Sequence, residues 1–270
     1  MKRVDLRKFQ VRPGRKPSLE DIDPAHAFGL TKEQSLPMVE KNIARIATLQ
    51  FRLYAEHRRA LLIVLQGMDT SGKDGVIRHV MSGLNPQGTV VASFKGPTQE
   101  ELDHDFLWRV HQRVPRKGDV GIFNRSHYED VLIGRVRKLA PKKEIKARYK
   151  EINGFEKTLS KNGVVIVKLF LCISKNEQKK RLEERLADPE KNWKFSLNDV
   201  KERALWNEYV AAYEEMLGRC STGRAPWFII PSDKKWVRNL VASQIVADAL
   251  ERMDPKIPPP LPGIEKIRIK

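Results

Sequence analysis

The run Ala60-Leu-Leu-Ile-Val-Leu-Gln66 passes straight into Gly67-Met-Asp-Thr-Ser-Gly-Lys-Asp74, and no other stretch restricts the fold as strongly. An apolar segment rich in branched side chains reads as a parallel strand buried on both faces, and Asp74-Gly-Val-Ile-Arg reads as the opening of a helix. G-x-x-x-x-G-K between strand and helix is the layout of a phosphate-cradling loop. Gly67 and Gly72 allow a tight turn that aims successive N–H groups and the positive helix end at one phosphate. Lys73 adds a mobile charge. The expected phosphate-binding set is Gly67, Thr70, Ser71, Gly72, Lys73, Asp74 and Gly75.

The position after the lysine usually carries a hydroxyl that ligates Mg²⁺. Here it is Asp74, with a second carboxylate, Asp69, inside the loop. Two acids in a cradle for anions are unfavourable unless a hard cation bridges them to the substrate, so the loop predicts Mg²⁺ beside phosphate. The structural alternative is that the acids merely cap the helix, and it fits Asp74 better than Asp69.

Along the chain, residues 1–35 hold scattered charge, three prolines and no apolar period, which predicts an extended arm on the body or partly loose. Residues 36–254 read as the main domain, and 255–270 as a proline-broken tail. Leu36, Val39, Ile43, Ile46, Leu49 and Leu53 form a helical stripe ending near His57. Further strands are expected at 89–94, 119–123, 164–173 and 227–231. Helices are expected at about 73–83, 98–113, 127–138, 142–161, 176–186, from Ser196 past Leu217, and 233–253. Strands alternating with helices predict an α/β fold: a parallel sheet covered on both faces, five strands in all, with ligands beyond the strands' carboxyl ends.

Two further clusters belong at that edge. The third strand runs into Asn124-Arg-Ser-His-Tyr-Glu-Asp130. Asn124 stands where related loops present a metal-facing Asp, so Asp69, Asp74 and Asn124 are the expected metal-side groups. Arg125 can grip phosphate oxygens in a planar fork, or pair with Glu129 or Asp130 at the helix start. His127 and Tyr128 read as packing or hydrogen-bonding residues. Around residues 175–200, basic side chains surround a proline-containing loop between two helices, the place of a closing lid. A lid that brings arginines over a transferring phosphoryl group excludes water and neutralises developing charge. Arg181 and Arg185, at i and i+4, are its expected catalytic members and Lys194 a phosphate contact. A solvated face accounts for part of the run. A second basic stripe, with Arg135 and Lys138 as its expected phosphate contacts, suits a long phosphate chain threading past the site.

Charge supports an anionic partner: 51 basic against 34 acidic residues, net +17, pI about 9.9. No stretch has the apolar length of a transmembrane helix, and no hydrophobic signal core follows the basic start, so the expectation is a soluble cytoplasmic protein with no membrane partner. Cys172 and Cys220 suggest neither a disulfide framework nor a zinc cluster.

Gly67-Met-Asp-Thr-Ser-Gly-Lys-Asp-Gly75, Asn124-Arg-Ser-His-Tyr-Glu-Asp130, Asp188-Pro-Glu-Lys-Asn-Trp-Lys194 and Ala225-Pro-Trp-Phe-Ile-Ile-Pro231 together resemble polyphosphate kinase family 2, over roughly residues 35–250. The resemblance implies a thymidylate-kinase-like P-loop kinase fold, three layers α/β/α, with a helical lid. It implies inorganic polyphosphate as phosphoryl donor, Mg²⁺ as cofactor, and AMP, ADP and ATP as acceptors or products. It further suggests a homo-oligomer, dimer or tetramer, and the class that phosphorylates both AMP and ADP. Many members of the ADP-preferring class have Asp-Arg-Ser-Trp-Tyr-Asn where this chain has Asn124 to Glu129. On this reading Asp69, Lys73, Arg125, Arg181 and Arg185 are catalytic, and Phe94, Pro97, Asn124 and Glu129 contact the nucleotide. Two other readings stay open from sequence: a nucleic-acid-binding P-loop ATPase, which lacks aromatics interleaved with the basic stripe, and an ATP-dependent small-molecule kinase.

Overall fold

The computed structural model describes residues 3–269. In chain order the elements are α1 (Lys32–Glu56), β1 (Ala60–Gln66), α2 (Lys73–Val80), β2 (Thr89–Ser93), α3 (Gln99–Leu102), α4 (Trp108–His111), β3 (Val120–Asn124), α5 (Glu129–Val136), α6 (Lys142–Lys161), β4 (Val164–Cys172), α7 (Lys175–Ala187), α8 (Leu197–Ala204), α9 (Trp206–Cys220), β5 (Trp227–Pro231) and α10 (Lys235–Met253). The five strands form one parallel sheet in the order β2-β3-β1-β4-β5.

Strict alternation along β1 divides the core. Ala60, Leu62 and Val64 join a cluster with α5, α6 and α9; Leu61, Ile63 and Leu65 join one with α1, α2 and α10. Every residue of β1 is buried, which is why its sequence is a continuous apolar run rather than an alternating one. One side chain breaks the pattern on the first face: Lys168 of β4 is fully buried. Its ammonium donates to Glu156 Oε2 at 2.6 Å, the Cys220 carbonyl at 2.6 Å and the Tyr128 hydroxyl at 2.9 Å, while Tyr128 donates to Glu156 Oε1 at 2.7 Å. Cys172 and Cys220 are buried free thiols, and burial pushes both up to about 12.

Three boundaries differ from the sequence expectations. The first helix starts at Lys32, ahead of Pro37, because Thr31 and Gln34 close a capping box: the Gln34 N–H donates to Thr31 Oγ1 at 3.3 Å and the Thr31 N–H to Gln34 Oε1 at 3.0 Å. The helix expected at 98–113 is two short ones, interrupted where Asp105 caps the backbone of Leu107 at 2.9 Å. The helix expected from Ser196 past Leu217 breaks at Leu205 into α8 and α9. The arm lies on the body: the Val11 N–H donates to the Trp227 carbonyl at 2.9 Å and the Ile229 N–H to the Phe9 carbonyl at 2.8 Å, so it lines the open edge of β5 antiparallel to it. Phe9 and Val11 are buried there, and Val4 is buried against α10 and Leu19 against α9.

Candidate active site

The chain runs from β1 to the sheet's left through β2 and β3 and to its right through β4 and β5, so the carboxyl ends of β1 and β3 flank a crevice. The β1 end enters the phosphate loop. At Gly67 a β-carbon would stand 2.7 Å from the Leu171 carbonyl oxygen and 2.7 Å from Ser71 Oγ, so no side chain fits. Thr70 holds a left-handed φ of 65°, a conformation that non-glycine residues keep only where the surroundings impose it. Gly72, at φ 102°, caps α2 without a side-chain bond, which leaves the first N–H groups of α2 open to an anion. The hydroxyls of Thr70 and Ser71 are buried and have no partner among the described residues.

Lys73 folds back on this loop: Nζ donates to the Gly67 carbonyl at 2.7 Å and the Met68 carbonyl at 3.2 Å. Burial pushes its pKa down, and nearby Asp69 pulls it the other way. From the neighbouring strand, Arg125 takes a φ of 63° with its N–H on the Leu65 carbonyl at 3.1 Å, which swings it toward the loop. Two links then join the motifs across the crevice. Arg125 Nη2 lies 3.0 Å from Asp69 Oδ1, and Asn124 Nδ2 donates to Asp74 Oδ1 at 2.8 Å.

The predicted metal-side groups fit Mg²⁺. Asp69, Asp74 and Asn124 line one cleft, and each link uses one oxygen of its carboxylate, leaving the second oxygen without a hydrogen bond among the described residues. No group of three or more His, Cys, Asp or Glu residues is gathered among the described residues.

That cleft, about 940 Å³, is lined by the loop, by Phe94 and Lys95 after β2, and by Arg185, Lys191, Trp193, Lys194 and Asp199 of the lid. Lys73, Lys95, Arg125, Arg185, Lys191 and Lys194 outnumber Asp69, Asp74 and Asp199 along its wall, so the cleft favours anions. Arg185 is the freest of the lid arginines, with Asp199 Oδ2 at 3.7 Å. Lys95, Trp193 and Asp199 were absent from the expected site. Lys95 had a usable signal, since it directly follows a strand whose carboxyl end must reach the ligand edge.

Several expectations are corrected. Arg181 does not face the cleft: it is buried behind the loop, with its guanidinium on the carbonyls of Thr70 (2.9 Å), Ser232 (2.7 Å) and Asp233 (2.8 Å) and on Glu177 Oε1 (2.8 Å). With a fifth bond to the Ser71 carbonyl at 3.4 Å it braces the loop and has no donors left for substrate. Arg135 and Lys138 line a separate cleft of about 800 Å³ against α9, with Arg135 ion-paired to Glu215. Phe94 reaches the cleft wall but is otherwise a core side chain, 7% exposed, with Phe123 edge-on at 5.0 Å and the Arg109 guanidinium over its ring at 5.7 Å, which leaves little of it for stacking on a base. Pro97 is exposed and does not line the cleft. Glu129 sits instead in a side cavity of about 80 Å³ with Asp69, Arg125, Tyr209 and Tyr213; burial raises its pKa, against the pull of Arg125 and Lys73.

A family model described as Polyphosphate kinase 2 matches residues 29–258. The chain belongs to the polyphosphate kinase 2 family. It is 47% identical over 267 residues to the AMP/ADP-polyphosphate phosphotransferase of Meiothermus ruber, covering 98% of this chain and 100% of that one. It is 41% identical to the ADP-polyphosphate phosphotransferase of Rhodopseudomonas palustris, covering 98% and 96%. The crystal structure of polyphosphate kinase 2 from Arthrobacter aurescens TC1 superposes with a TM-score of 0.91 at 41% identity, over 96% of this chain and 95% of that one. The expected P-loop kinase fold is thus the fold of this polyphosphate kinase 2 chain. Among the described residues, no helix is long and apolar enough to cross a membrane.

Proposed function

We propose that this polyphosphate kinase 2 transfers the terminal phosphoryl group of inorganic polyphosphate to AMP or ADP, reversibly, as a cytoplasmic homo-oligomer, a dimer or tetramer, with Mg²⁺ held by Asp69, Asp74 and Asn124. The observation that carries the reading is the convergence of the phosphate loop, the Asn124–Arg125 corner and the lid cations on one basic cleft. The relatives' names supply the substrate class.

In this cleft the open N–H groups at the start of α2 receive the phosphates around the transferred group. Lys73 leaves the Gly67 and Met68 carbonyls for phosphate oxygens, exchanging neutral acceptors for charged ones. Arg125, oriented by Asp69, and Arg185 from the lid neutralise charge on the equatorial oxygens. A nucleotide phosphate oxygen is already a competent nucleophile near neutral pH, so the residues position and screen rather than abstract a proton. Asp69, Asp74 and Asn124 would hold Mg²⁺, which would supply positive charge to neutralise the phosphates. The test is to incubate purified protein with polyphosphate, Mg²⁺ and AMP and to resolve nucleotides over time. ADP followed by ATP is expected, with none formed in excess chelator. Activity with ATP and a small acceptor but none with polyphosphate would overturn the reading.

A further inference from the structure

Behind the phosphate loop, on the side away from the cleft, stand two arginines with different company. Arg181 has a carboxylate, Glu177, and several carbonyls. Arg238 of α10, 3% exposed, has no carboxylate within salt-bridge distance among the described residues; its Nε and Nη2 share the neutral Asn239 Oδ1 at 3.1 and 2.9 Å, and Nη1 makes no hydrogen bond. Its location is defined by two glycines. A β-carbon at Gly72 would stand 1.9 Å from Arg238 Nη1, and one at Gly75 would stand 2.7 Å from Nη2. The guanidinium therefore fills the volume that side chains at both positions would claim, and Gly72 and Gly75 themselves line the anion-favouring cleft. The charge lies one backbone thickness from the place where phosphate is expected.

Guanidinium does not give up its proton in proteins, so this charge stays buried without an opposite charge from the chain. Burial and the nearby Arg181 push its pKa down to about 10, still well above neutrality. An apolar side chain of similar length would fill the same space without that penalty.

We propose that Arg238 is a positioning residue whose uncompensated charge, seated through the gap left by Gly72 and Gly75, holds the phosphate donor in the loop. The proposal rests on the function given above, with polyphosphate as donor. The role is electrostatic: it acts through the loop backbone on the bound phosphates and makes no bond to them. It also gives both glycines a task beyond the turn, since any side chain at either position displaces the arginine.

Calorimetric binding of inorganic tripolyphosphate, which requires no turnover, reads the proposal directly, with kinetics on AMP and a melting temperature alongside. Arg238→Met is expected to weaken tripolyphosphate binding about tenfold and raise the polyphosphate KM equally, leaving the AMP KM within twofold and the melting temperature unchanged or higher. Arg238→Lys, which keeps the charge, is expected to bind within threefold of the parent. Parent-like binding by Arg238→Met, or loss in Arg238→Lys equal to that in Arg238→Met, overturns the proposal, as does a fallen melting temperature with both KM values shifted together. If Arg238→Met does not fold, Arg238→Gln, neutral but still a donor, takes its place with the same expected loss. A parent that binds tripolyphosphate yet transfers nothing to AMP or ADP refutes the function alone, and the binding comparison still decides on Arg238. A parent that does not bind tripolyphosphate refutes both.

Discussion

Lys168 and Lys73 are both lysines drawn away from water, and their surroundings differ. Lys168 has a carboxylate, a phenol and a carbonyl around one ammonium, which saturates its three donors inside the core. Lys73 has only two carbonyls of its own loop, and beside it lie orphaned hydroxyls and uncapped helical N–H groups. The first cluster is closed and holds β4, α5 and α6 together. The second is incomplete by construction, and its missing acceptors are those an anion provides. Burial of charge alone therefore does not mark a site in this protein; at Lys73 it coincides with unpartnered loop hydroxyls and open helical N–H groups on one cleft.

The sharpest way to break this contrast is to remove each ammonium in turn. Lys73→Ala is expected to lower polyphosphate-dependent nucleotide formation about a thousandfold, about 4 kcal/mol of barrier, with a melting temperature within a few degrees of the parent. Retention of more than about a tenth of the activity, under roughly 1.4 kcal/mol, would remove Lys73 from the mechanism. Lys168→Met should do the reverse. Urea unfolding is expected to show about 3–5 kcal/mol lost, because Glu156 is left charged and buried, and the double variant Lys168→Met/Glu156→Met should recover much of it. A single variant as stable as the parent would show that the closed cluster has no structural role.

A smaller effect is expected at the lid. Arg185→Gln should lower turnover about tenfold, near 1.4 kcal/mol, without changing the unfolding midpoint, as measured by steady-state kinetics and urea melts. The smallest comes from two glutamates whose shifts oppose each other. Burial pushes Glu156 upward, but Lys168 and His127 outweigh it and hold its pKa below the ordinary value; burial of Glu129 prevails and raises its pKa. Stability from Glu156 is therefore present above pH 4.5 and is lost as pH falls through its lowered pKa. For Glu129 the folded chain binds the proton more tightly, so stability declines as pH rises from about 4.5 through its raised pKa. Glu129→Gln should remove that decline and so raise stability at neutral pH relative to the parent. Melts from pH 4 to 8 that run parallel for the two proteins would contradict this.

Much of the architecture was legible because local and global signals agree. The apolar run at Ala60–Gln66, the turn at Asn162-Gly163 and the stripe Ile145, Tyr149, Ile152, Leu159 each allow a single period. The broken helices were not legible: a side chain at Asp105 and a kink at Leu205 override a continuous helical pattern, and both depend on packing. At the site, the loop and the Asn124–Arg125 corner could be placed because each directly follows a strand. Arg181 could not be judged from spacing, since i and i+4 put it on one face with Arg185 but say nothing about which carbonyls wait behind it. Arg238 carried no local signal at all, because its partner is the absence of two side chains more than 160 residues earlier in the chain.

The antiparallel contact between residues 9–11 and β5 has a kinetic corollary. Ser221 Oγ donates to the Val11 carbonyl at 2.6 Å across 210 residues of chain, and the Trp227 N–H donates to that same Ser221 oxygen at 3.1 Å. During translation the arm leaves the ribosome long before its docking strand exists, so Phe9 and Val11 wait exposed through nearly the whole synthesis. Such long-range closure is slow and comes late. A nascent chain stalled before residue 221 should therefore have an arm open to protease, and one released past residue 253, with α10 complete, should not.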